Sequence, residues 1–522
     1  MILDVVDKLP FLYETANAHP ASLAAAFIGL ALLLWRLVKF TVLPALDPND
    51  PKEYPYWVPV VGHLRAFTKD SQGLLTRARL HFKDVRDPFS ITMGGQKFYI
   101  VTKSKDVSTV YRNSKTLTFE IFAQEILVDL GCSQGAVNSV YGVGHADSKG
   151  LVKELGAKTP AKKTRDMHHH QLFPGAGNLI NDIGSVFVAY FDKTMDLQWL
   201  KTQFYANEVG NGAVTVSLWD LNSDLFTNAA QEAYFGQKLR SINPAMAWTM
   251  LEFDDLAWQL MFKYPPFLSR KMHAAKDQAF DALEQYFASP IEQREDTVWW
   301  TKAFEMEMRS AGLGDRDLAI MAMTIYWGAS TNLRKGGFWF IAYLLFDPTL
   351  LALIQDEIAP AFNGREINQD YLTKQCPRFQ GAWEETMRIT AFSSSVRFVT
   401  EDTVIGNKLL RKGYRIMMPY RQMHLDESVF GPDAEDFVAD RFVKNSGLRN
   451  HNMTFGGGAT QCPGRHLATH TILVFVAMFL HRFEVTLDPP GQLFPQINEA
   501  HPVLGLVDVK RSSDLKVQLR LK

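Results

Sequence analysis

The chain has 522 residues, 47% of them hydrophobic and 12% aromatic, a composition typical of a globular protein. Its 55 basic and 56 acidic residues leave a formal net charge of −1, so the composition gives no reason to expect a nucleic-acid partner. The three cysteines, Cys132, Cys376 and Cys462, are too few for a secreted disulfide scaffold. A cysteine with a function is therefore expected to act as a thiolate in a reducing compartment.

The first predicted element is an apolar helix near the N-terminus. Residues 21–35 (ASLAAAFIGLALLLW) carry no charge, and Arg36 and Lys39 follow them. This run is shorter than the roughly 20 residues of a full membrane span, but basic side chains near one end can snorkel and lengthen it. A buried core helix and a cleaved signal peptide are the alternatives, and the acidic residues before the run disfavour cleavage. We predict a membrane anchor over residues 1–43, with the rest of the chain in the cytoplasm.

A proline-rich hinge is predicted over residues 44–62, because proline recurs there at positions 44, 48, 51, 55 and 59. Residues 63–522 are predicted to form one large domain. Within it, residues 88–102 have the pattern of two strands that turn at Gly94 and Gly95, and residues 404–420 are strand-like. The region between them is mostly helical in pattern, so the predicted fold class is α+β and mostly helical.

The longest helical pattern covers residues 315–346, with Asp315 as its predicted N-cap and a proline after its end. Three glycines, at positions 328, 336 and 337, are costly in a helix interior. Ser330, Thr331 and Asn332 form a polar cluster between apolar flanks. The pattern fits a surface patch, or a helix that lets another group approach its backbone and presents polar groups to it.

Residues 455–465 read FGGGATQCPGR, so glycines surround Cys462 and allow a tight, flat backbone. Pro463 suits the first position of a helix, and residues 467–480 supply an apolar helix after it. A thiolate at a helix N-terminus is stabilised by the helix dipole and by free N–H groups, as an iron ligand requires. On its own, the cysteine fits a small buried apolar residue equally well.

The pattern F-x-x-G-x-x-x-C-x-G, formed by Phe455, Gly458, Cys462 and Gly464, resembles the haem-binding loop of cytochromes P450. Two upstream motifs agree with this resemblance. They are E-x-x-R at Glu385 and Arg388, and the arginine-phenylalanine pair at Arg441 and Phe442. The resemblance implies the P450 fold, haem b (iron protoporphyrin IX) as cofactor, Cys462 as the iron ligand, and a buried ion triad of Glu385, Arg388 and Arg441.

The propionate-binding positions depart from the family's usual residues. Most members have Arg or His two residues before the cysteine, where this chain has Thr460. The register from Pro174 places Arg165 and His169 where the family has a tryptophan and an arginine that bind haem propionates. Solvated side chains are the alternative for both. Arg397 stands where the family often has a further propionate-binding arginine.

The long helix also departs from the family, because residues 328–332 lack the acid that usually precedes a proton-relaying alcohol. One register makes Thr331 the alcohol and puts Ser330 in the place of the acid; the other puts Asn332 in the place of the alcohol. The second register, with Trp327, resembles the branch of sterol 7α- and 12α-hydroxylases and prostacyclin synthase. Ser330, Thr331 and Asn332 are thus the candidate catalytic residues.

The resemblance implies a monooxygenase that inserts one atom of O2 into a lipophilic substrate such as a sterol, terpenoid or polycyclic secondary metabolite. NADPH–cytochrome P450 reductase is the implied electron donor, and a single-pass protein of the endoplasmic reticulum membrane is the implied location. The alternative is a P450-type isomerase or dehydratase that rearranges a peroxide or its substrate without a reductase. A non-catalytic haem- or lipid-binding protein is a third hypothesis.

Overall fold

Helices form most of the chain, as the sequence predicts. The computed structural model describes residues 20–142, 158–175, 177, 179–210 and 212–522. In chain order the helices are α1 (Pro20–Leu37), α2 (Leu43–Leu46), α3 (Leu64–Lys69), α4 (Ser71–His81), α5 (Ser104–Arg112), α6 (Glu120–Leu130), α7 (Gln134–Tyr141), α8 (Pro160–Leu172), α9 (Leu179–Thr194), α10 (Leu197–Lys201), α11 (Leu218–Ile242), α12 (Met246–Leu256), α13 (Trp258–Met261), α14 (Arg270–Ala288), α15 (Trp299–Ser310), α16 (Asp315–Leu345), α17 (Pro348–Ile358), α18 (Gln369–Lys374), α19 (Pro377–Thr390), α20 (Tyr420–His424), α21 (Glu427–Phe430), α22 (Arg441–Lys444) and α23 (Arg465–Arg482).

The strands are short and build two main sheets. They are β1 (Phe89–Met93), β2 (Gln96–Ile100), β3 (Leu117–Thr118), β4 (Ala206–Val209), β5 (Ala213–Ser217), β6 (Phe362–Asn363), β7 (Glu366–Ile367), β8 (Ser394–Val399), β9 (Thr403–Ile405), β10 (Lys408–Leu410), β11 (Arg415–Pro419), β12 (Phe483–Leu487) and β13 (Lys516–Leu521). One sheet has the order β1-β2-β11-β8-β3 and the other β12-β13-β5-β4. The predicted hairpin over residues 88–102 is confirmed as β1 and β2, which are antiparallel.

Helix α16 crosses the core, and its paired glycines let two neighbouring helices approach it. A Cβ on Gly336 would lie 2.8 Å from Ile472 Cδ1 of α23, and one on Gly337 would lie 2.5 Å from Phe226 Cε2 of α11. Because real Cβ atoms do not approach this closely, a side chain at either position would force its neighbours to shift. Helix α23 is buried nearly all round, as its uniformly apolar sequence predicts.

The helix ends differ slightly from the sequence prediction. Helix α16 begins at Asp315, whose predicted role as N-cap falls instead to Gly314. Helix α23 begins at Arg465, so Pro463 lies in the turn before the helix instead of at its first position. The backbone must first turn around Cys462, and the helix starts only after that turn.

The N-terminal apolar helix continues into the segment where the hinge is predicted. Residues Ala24–Leu46 are long and apolar enough to cross a membrane, with mean hydropathy 1.9, and they lie outside the core. Pro44 therefore lies in α2, within the first turn of that helix. The rest of the hinge segment is held by the domain, because the Tyr54 N–H donates to Ser90 O of β1 at 2.8 Å. Arg36 reaches the same segment through a hydrogen bond from its guanidinium to Tyr56 O at 2.6 Å.

Candidate active site

The loop before α23 positions Cys462 by backbone contacts. The Cys462 N–H donates to Phe455 O at 2.9 Å, which closes the loop. Gly456 and Gly458 have φ values of 69° and 62°, a region that favours glycine. A Cβ on Gly458 would also lie 2.6 Å from Tyr111 O. The loop thus needs glycine both for its turn and for its contact with α5.

The Cys462 thiol faces opposing electrostatic effects. Burial raises its pKa above the usual value, while the backbone N–H of Gly464 and the charge of Arg465 act to lower it. The side chain is nevertheless accessible, because it opens into a cavity inside the protein. A bound cation at the sulfur would supply the charge that favours the thiolate in this setting.

An inner cavity of about 330 Å³ connects the cysteine loop with helix α16. Its lining includes Cys462, Phe455, Gly464, Thr460, Arg397, Gly328, Ala329, Asn332, Leu333, Leu504 and Leu506. The described residues of this lining include no carboxylate. Gly328 has nothing within 4 Å of an ideal Cβ position, so here the helix backbone borders open space.

Arg397 lies between the inner cavity and a side cavity of about 470 Å³. Its guanidinium donates to Val396 O at 2.7 Å, to Ser395 Oγ at 2.9 Å, and to Thr460 Oγ1. The side chain is buried, and burial lowers the pKa of its guanidinium. No described carboxylate forms an ion pair with it. A buried cation without an acidic partner is costly, which indicates a place for an anionic ligand group.

Arg165 and His169 separate in the structure, although both lie on α8. Arg165 lines the side cavity together with Arg397. His169 packs its ring on Phe173, with centroids 4.6 Å apart, and it does not line either cavity. His168 and His170 pack on Trp300 and Trp299 respectively, so the three consecutive histidines point to different partners.

The three polar residues in the middle of α16 also differ in position. The Ser330 hydroxyl donates to Tyr326 O at 2.7 Å and the Thr331 hydroxyl to Trp327 O at 3.0 Å, so both bond within their own helix. Neither lines the inner cavity. Asn332 does line it, and its Oδ1 accepts the Leu506 N–H at 2.9 Å. Of the three polar residues, Asn332 is thus the one that borders the inner cavity.

The charged motif residues upstream of the loop meet in the interior. Glu385 accepts two bonds from the Arg388 guanidinium, at 2.8 and 2.7 Å, and one from Arg441 Nε at 2.9 Å. Arg388 also donates to His424 O and Ala434 O, each at 2.7 Å. These bonds link α19 to the chain that leads to the cysteine loop.

Comparison with known proteins identifies the family. The Cytochrome P450 family model matches residues 186–512, a range that contains the cysteine loop, the charged triad and all of α16. The chain belongs to the cytochrome P450 family. It is 24% identical over 493 residues to the cytochrome P450 monooxygenase poxD of Penicillium oxalicum, covering 91% of this chain and 94% of the relative.

Of two further similarities, one agrees with the branch expected from the sequence and the other with the fold. This P450 is 21% identical to the 7-alpha-hydroxycholest-4-en-3-one 12-alpha-hydroxylase of Oryctolagus cuniculus, over 94% of this chain and 98% of the relative. The solved structure of a retinoic acid-bound cyanobacterial P450 matches with a TM-score of 0.65 at 16% identity, over 91% of this chain and 99% of that chain. The latter shows the fold, and together the relatives show a P450 monooxygenase.

The family implies a haem iron cofactor, and the residues of this P450 fit one. Cys462 offers a sulfur ligand that opens into the inner cavity, and Arg397 is a buried cation without an acidic partner. Gly328 leaves open space where a side chain would otherwise project. These features match a planar group with an iron centre and anionic substituents.

Two features near the site were not predicted from the sequence. An outer cavity of about 380 Å³ adjoins the inner one, since Phe122, Ser394, Val396 and Leu504 line both. The second feature is a buried ion cluster on Arg334 and Lys335 of α16. Two consecutive basic residues inside an apolar helix were the available signal for that cluster.

Proposed function

We propose that this P450 inserts one oxygen atom from O2 into a lipophilic substrate, with electrons from NADPH supplied by NADPH–cytochrome P450 reductase. The observation that carries the proposal is a glycine-rich loop that presents Cys462 to an inner cavity, which in turn adjoins an apolar outer cavity. The first cavity has the donor set for haem, and the second has room for a substrate beside it.

Within this proposal Cys462 binds the iron of haem b, with Phe455, Gly458 and Gly464 shaping the loop around it. Arg397 and Arg165 bind the propionates, because both border the side cavity. Thr460 stands in for the usual basic residue by fixing Arg397 through its hydroxyl. His169 is the weaker candidate for propionate contact, since its ring packs on Phe173.

Bound haem supplies the iron centre at which O2 is reduced and its O–O bond is split. Asn332 is the residue of α16 that we assign to this step. Because its Oδ1 accepts the Leu506 N–H, its Nδ2 group is the part left to donate a hydrogen bond within the cavity. The hydroxyls of Ser330 and Thr331 bond to their own helix and support its backbone instead.

The lining of the outer cavity supports our proposal that the substrate is a rigid apolar molecule, such as a sterol, terpenoid or polycyclic metabolite. Its lining is largely aromatic and aliphatic, and includes Phe67, Phe98, Phe122, Ile126, Met261, Phe262 and Trp327. Polar groups in the lining are paired with each other, as in the ion pair of Glu125 with Arg415 at 2.7 Å. Relatives that hydroxylate sterols, by their names, support the same class.

The N-terminal helix supports the proposal that this P450 is a single-pass protein of the endoplasmic reticulum membrane, with its catalytic domain in the cytoplasm. Arg36 and Lys39 follow the apolar run on the side of the domain, in the order expected for a cytoplasmic orientation. The reductase in the same membrane would then reach the domain directly.

Labelled oxygen separates monooxygenation from its alternative. Purified holoenzyme is given candidate sterols and terpenoids with NADPH, the reductase and 18O2, and a parallel reaction lacks the reductase. We expect label in the product only when the reductase is present. Turnover without electrons, or product without label, would instead indicate an isomerase or dehydratase and overturn the proposal.

A further inference from the structure

A buried ion cluster joins α16 to α12 and to the C-terminal segment that contains Asp508. Arg334 Nη2 lies 2.7 Å from a carboxylate oxygen of Asp254 and 2.7 Å from one of Asp255, both on α12. Lys335 Nζ lies 3.2 Å from Asp254 and 3.2 Å from Asp508, which follows the cavity-lining residues 504–506. Three converging carboxylates resemble a metal site, but each of them is already paired with Arg334 or Lys335.

Asp254 differs from the other two carboxylates in one contact. Its Oδ1 accepts the indole Nε1–H of Trp327 at 2.7 Å, while its Oδ2 binds Arg334 and Lys335. Trp327 lines the outer cavity and packs edge-on against Phe253, the neighbour of Asp254, with ring centroids 5.2 Å apart. The carboxylate and the phenyl ring together fix the orientation of the indole.

We propose that Asp254 is a positioning residue that holds Trp327 as a wall of the outer cavity and thereby determines the size of ligand that this P450 accepts. Trp327 lines the outer cavity, while Ala329 and Asn332, two and five residues further along α16, line the inner cavity, so the two cavities share this helix. Arg334 and Lys335 fix the carboxylate, which in turn fixes the indole. This inference rests on the proposed function in taking the outer cavity as the substrate site.

Asp254 is held in its charged form, as this role requires. Burial alone would raise the pKa of its carboxyl group, but Lys335, Arg334 and the Trp327 hydrogen bond outweigh burial and hold that pKa below its usual range. The indole N–H therefore faces a permanent anion, and a hydrogen bond to a charged acceptor is stronger than one to a neutral acceptor.

The test uses the ferric holoenzyme and imidazole probes that ligate haem iron, so it needs neither a known substrate nor turnover. Dissociation constants for imidazole, 1-phenylimidazole and 4-phenylimidazole are measured from the Soret shift. In Asp254→Asn and in Trp327→Phe we expect the ratio of phenyl-substituted to unsubstituted affinity to change by about tenfold, because a displaced or smaller side chain at this wall alters the apolar contact with the phenyl ring.

Asp255→Asn is the matched control, because Asp255 binds Arg334 at the same distance but does not contact Trp327. We expect it to leave the affinity ratio unchanged. If Asp254→Asn and Asp255→Asn shift the ratio equally, Asp254 acts only through the ion cluster and the proposal is wrong. An unchanged ratio in Trp327→Phe would equally overturn it.

A double variant tests whether Asp254 acts through the indole. Once Trp327 is replaced by Phe, adding Asp254→Asn should not change the ratio further, whereas independent effects would add. If Asp254→Asn does not take up haem, Asp254→Glu replaces it in the cycle, since it keeps the charge for Arg334 while displacing the acceptor. Because imidazole binding requires only haem, these results stand apart from the labelled-oxygen test of monooxygenation.

Discussion

At Cys462, burial and the backbone geometry of the loop have opposite effects on the pKa of the thiol. Burial raises the pKa of the thiol, and the backbone donors at Gly464 and Arg465 only partly offset that effect. The thiolate is therefore favoured when a cation binds at the sulfur, which couples cofactor binding to deprotonation. Cys376 is also buried, but it borders none of the three cavities described above.

Replacing Cys462 by Ser should abolish the red-shifted Soret band of the reduced carbon-monoxide complex, because a neutral hydroxyl cannot replace the thiolate ligand. The band is recorded on purified protein reconstituted with haem. Cys376→Ser serves as control and should keep the band. Survival of the band in Cys462→Ser would contradict the assignment of the ligand.

We predict that Asn332 contributes to coupled product formation by donating a hydrogen bond from its Nδ2 group. We expect Asn332→Ala to lower coupled product formation on the order of 100-fold, the loss typical when a preorganised donor is removed. Product formed per NADPH is the measurement. Asn332→Asp keeps an oxygen acceptor for Leu506 but removes the donor, so it should fail to restore coupling.

Ser330→Ala is the control for this prediction, because the Ser330 hydroxyl is bonded to Tyr326 O and does not line the cavity. It should keep nearly full coupling. Loss of coupling in Ser330→Ala with normal coupling in Asn332→Ala would instead support the other register of the helix.

At the scale of elements, the features that could not be predicted from the sequence depend on contacts between residues far apart in the chain. The local pattern around Cys462 predicted the loop, because its glycines and its cysteine stand within one short segment. The register of α16 stayed open, since it depends on Leu506, which lies 174 residues beyond Asn332. The glycines of α16 predicted a close approach, but Phe226 and Ile472 as partners became visible only in the packed helices.

The same reason explains the missed ion cluster. Arg334 and Lys335 are adjacent in sequence, but Asp254 and Asp508 stand far before and after them. The ion pair of the E-x-x-R motif was easier to predict than this cluster, because Glu385 and Arg388 share one helical face and meet within α19. Charge pairs within a helix can be predicted from spacing, whereas pairs between helices need the fold.

The buried triad predicts a large loss of stability when one member is removed. In Glu385→Ala the Arg388 and Arg441 guanidinium groups remain buried without their carboxylate, so we expect a loss of about 3–5 kcal/mol in the free energy of unfolding. Thermal unfolding and haem retention are the measurements. Glu384→Ala is the matched control: its partner Arg449 is exposed, so the loss should be below about 1 kcal/mol. Equal losses in the two variants would contradict a special role of the triad.

His424 connects that triad to the cysteine loop and should make stability depend on pH. Its Nε2 accepts the Met453 N–H at 2.9 Å, so Nδ1 carries the proton and donates to Arg388 O at 2.9 Å. Burial, and next the charge of Arg388, lower its pKa to about 3. Between about pH 6.5 and pH 3 the unfolded chain binds a proton that the folded chain does not, so stability falls as the pH falls through this window.

We expect His424→Gln to show a shallower loss of stability with acid, because its neutral amide can accept from Met453 and donate to Arg388 at every pH. Unfolding by denaturant at several pH values between 7 and about 4 measures the slope. His170→Gln is the control, since His170 is exposed on α8 and should leave the slope unchanged. A wild-type slope in His424→Gln would show that His424 does not cause the acid sensitivity.

At the scale of the whole molecule, the apolar N-terminal helix and the catalytic domain meet at a small polar and aromatic contact. Lys39 Nζ lies 3.4 Å from Glu53, and Trp35, Phe40 and Tyr56 pack together with centroids within 5.6 Å. This contact fixes the direction in which the helix leaves the domain. The exposed apolar residues Trp57, Val58, Val60 and Val61 lie beside it, so a membrane around the helix would also cover this surface.

The proposal that α1 attaches the protein to a membrane can be tested separately from attachment through the exposed surface beside it. Leu30 and Leu33 are exposed on α1, and an arginine in the centre of a spanning helix costs about 2.5–3.5 kcal/mol in insertion. The Leu30→Arg, Leu33→Arg double variant should therefore move from the membrane pellet to the soluble fraction after an alkaline wash, while the carbon-monoxide spectrum stays unchanged. Leu493→Arg is the matched control, because Leu493 is an exposed leucine on the C-terminal part of the domain, and it should stay in the pellet. If the double variant also stays in the pellet with an intact spectrum, the surface at Trp57–Val61 and not α1 holds the protein on the membrane.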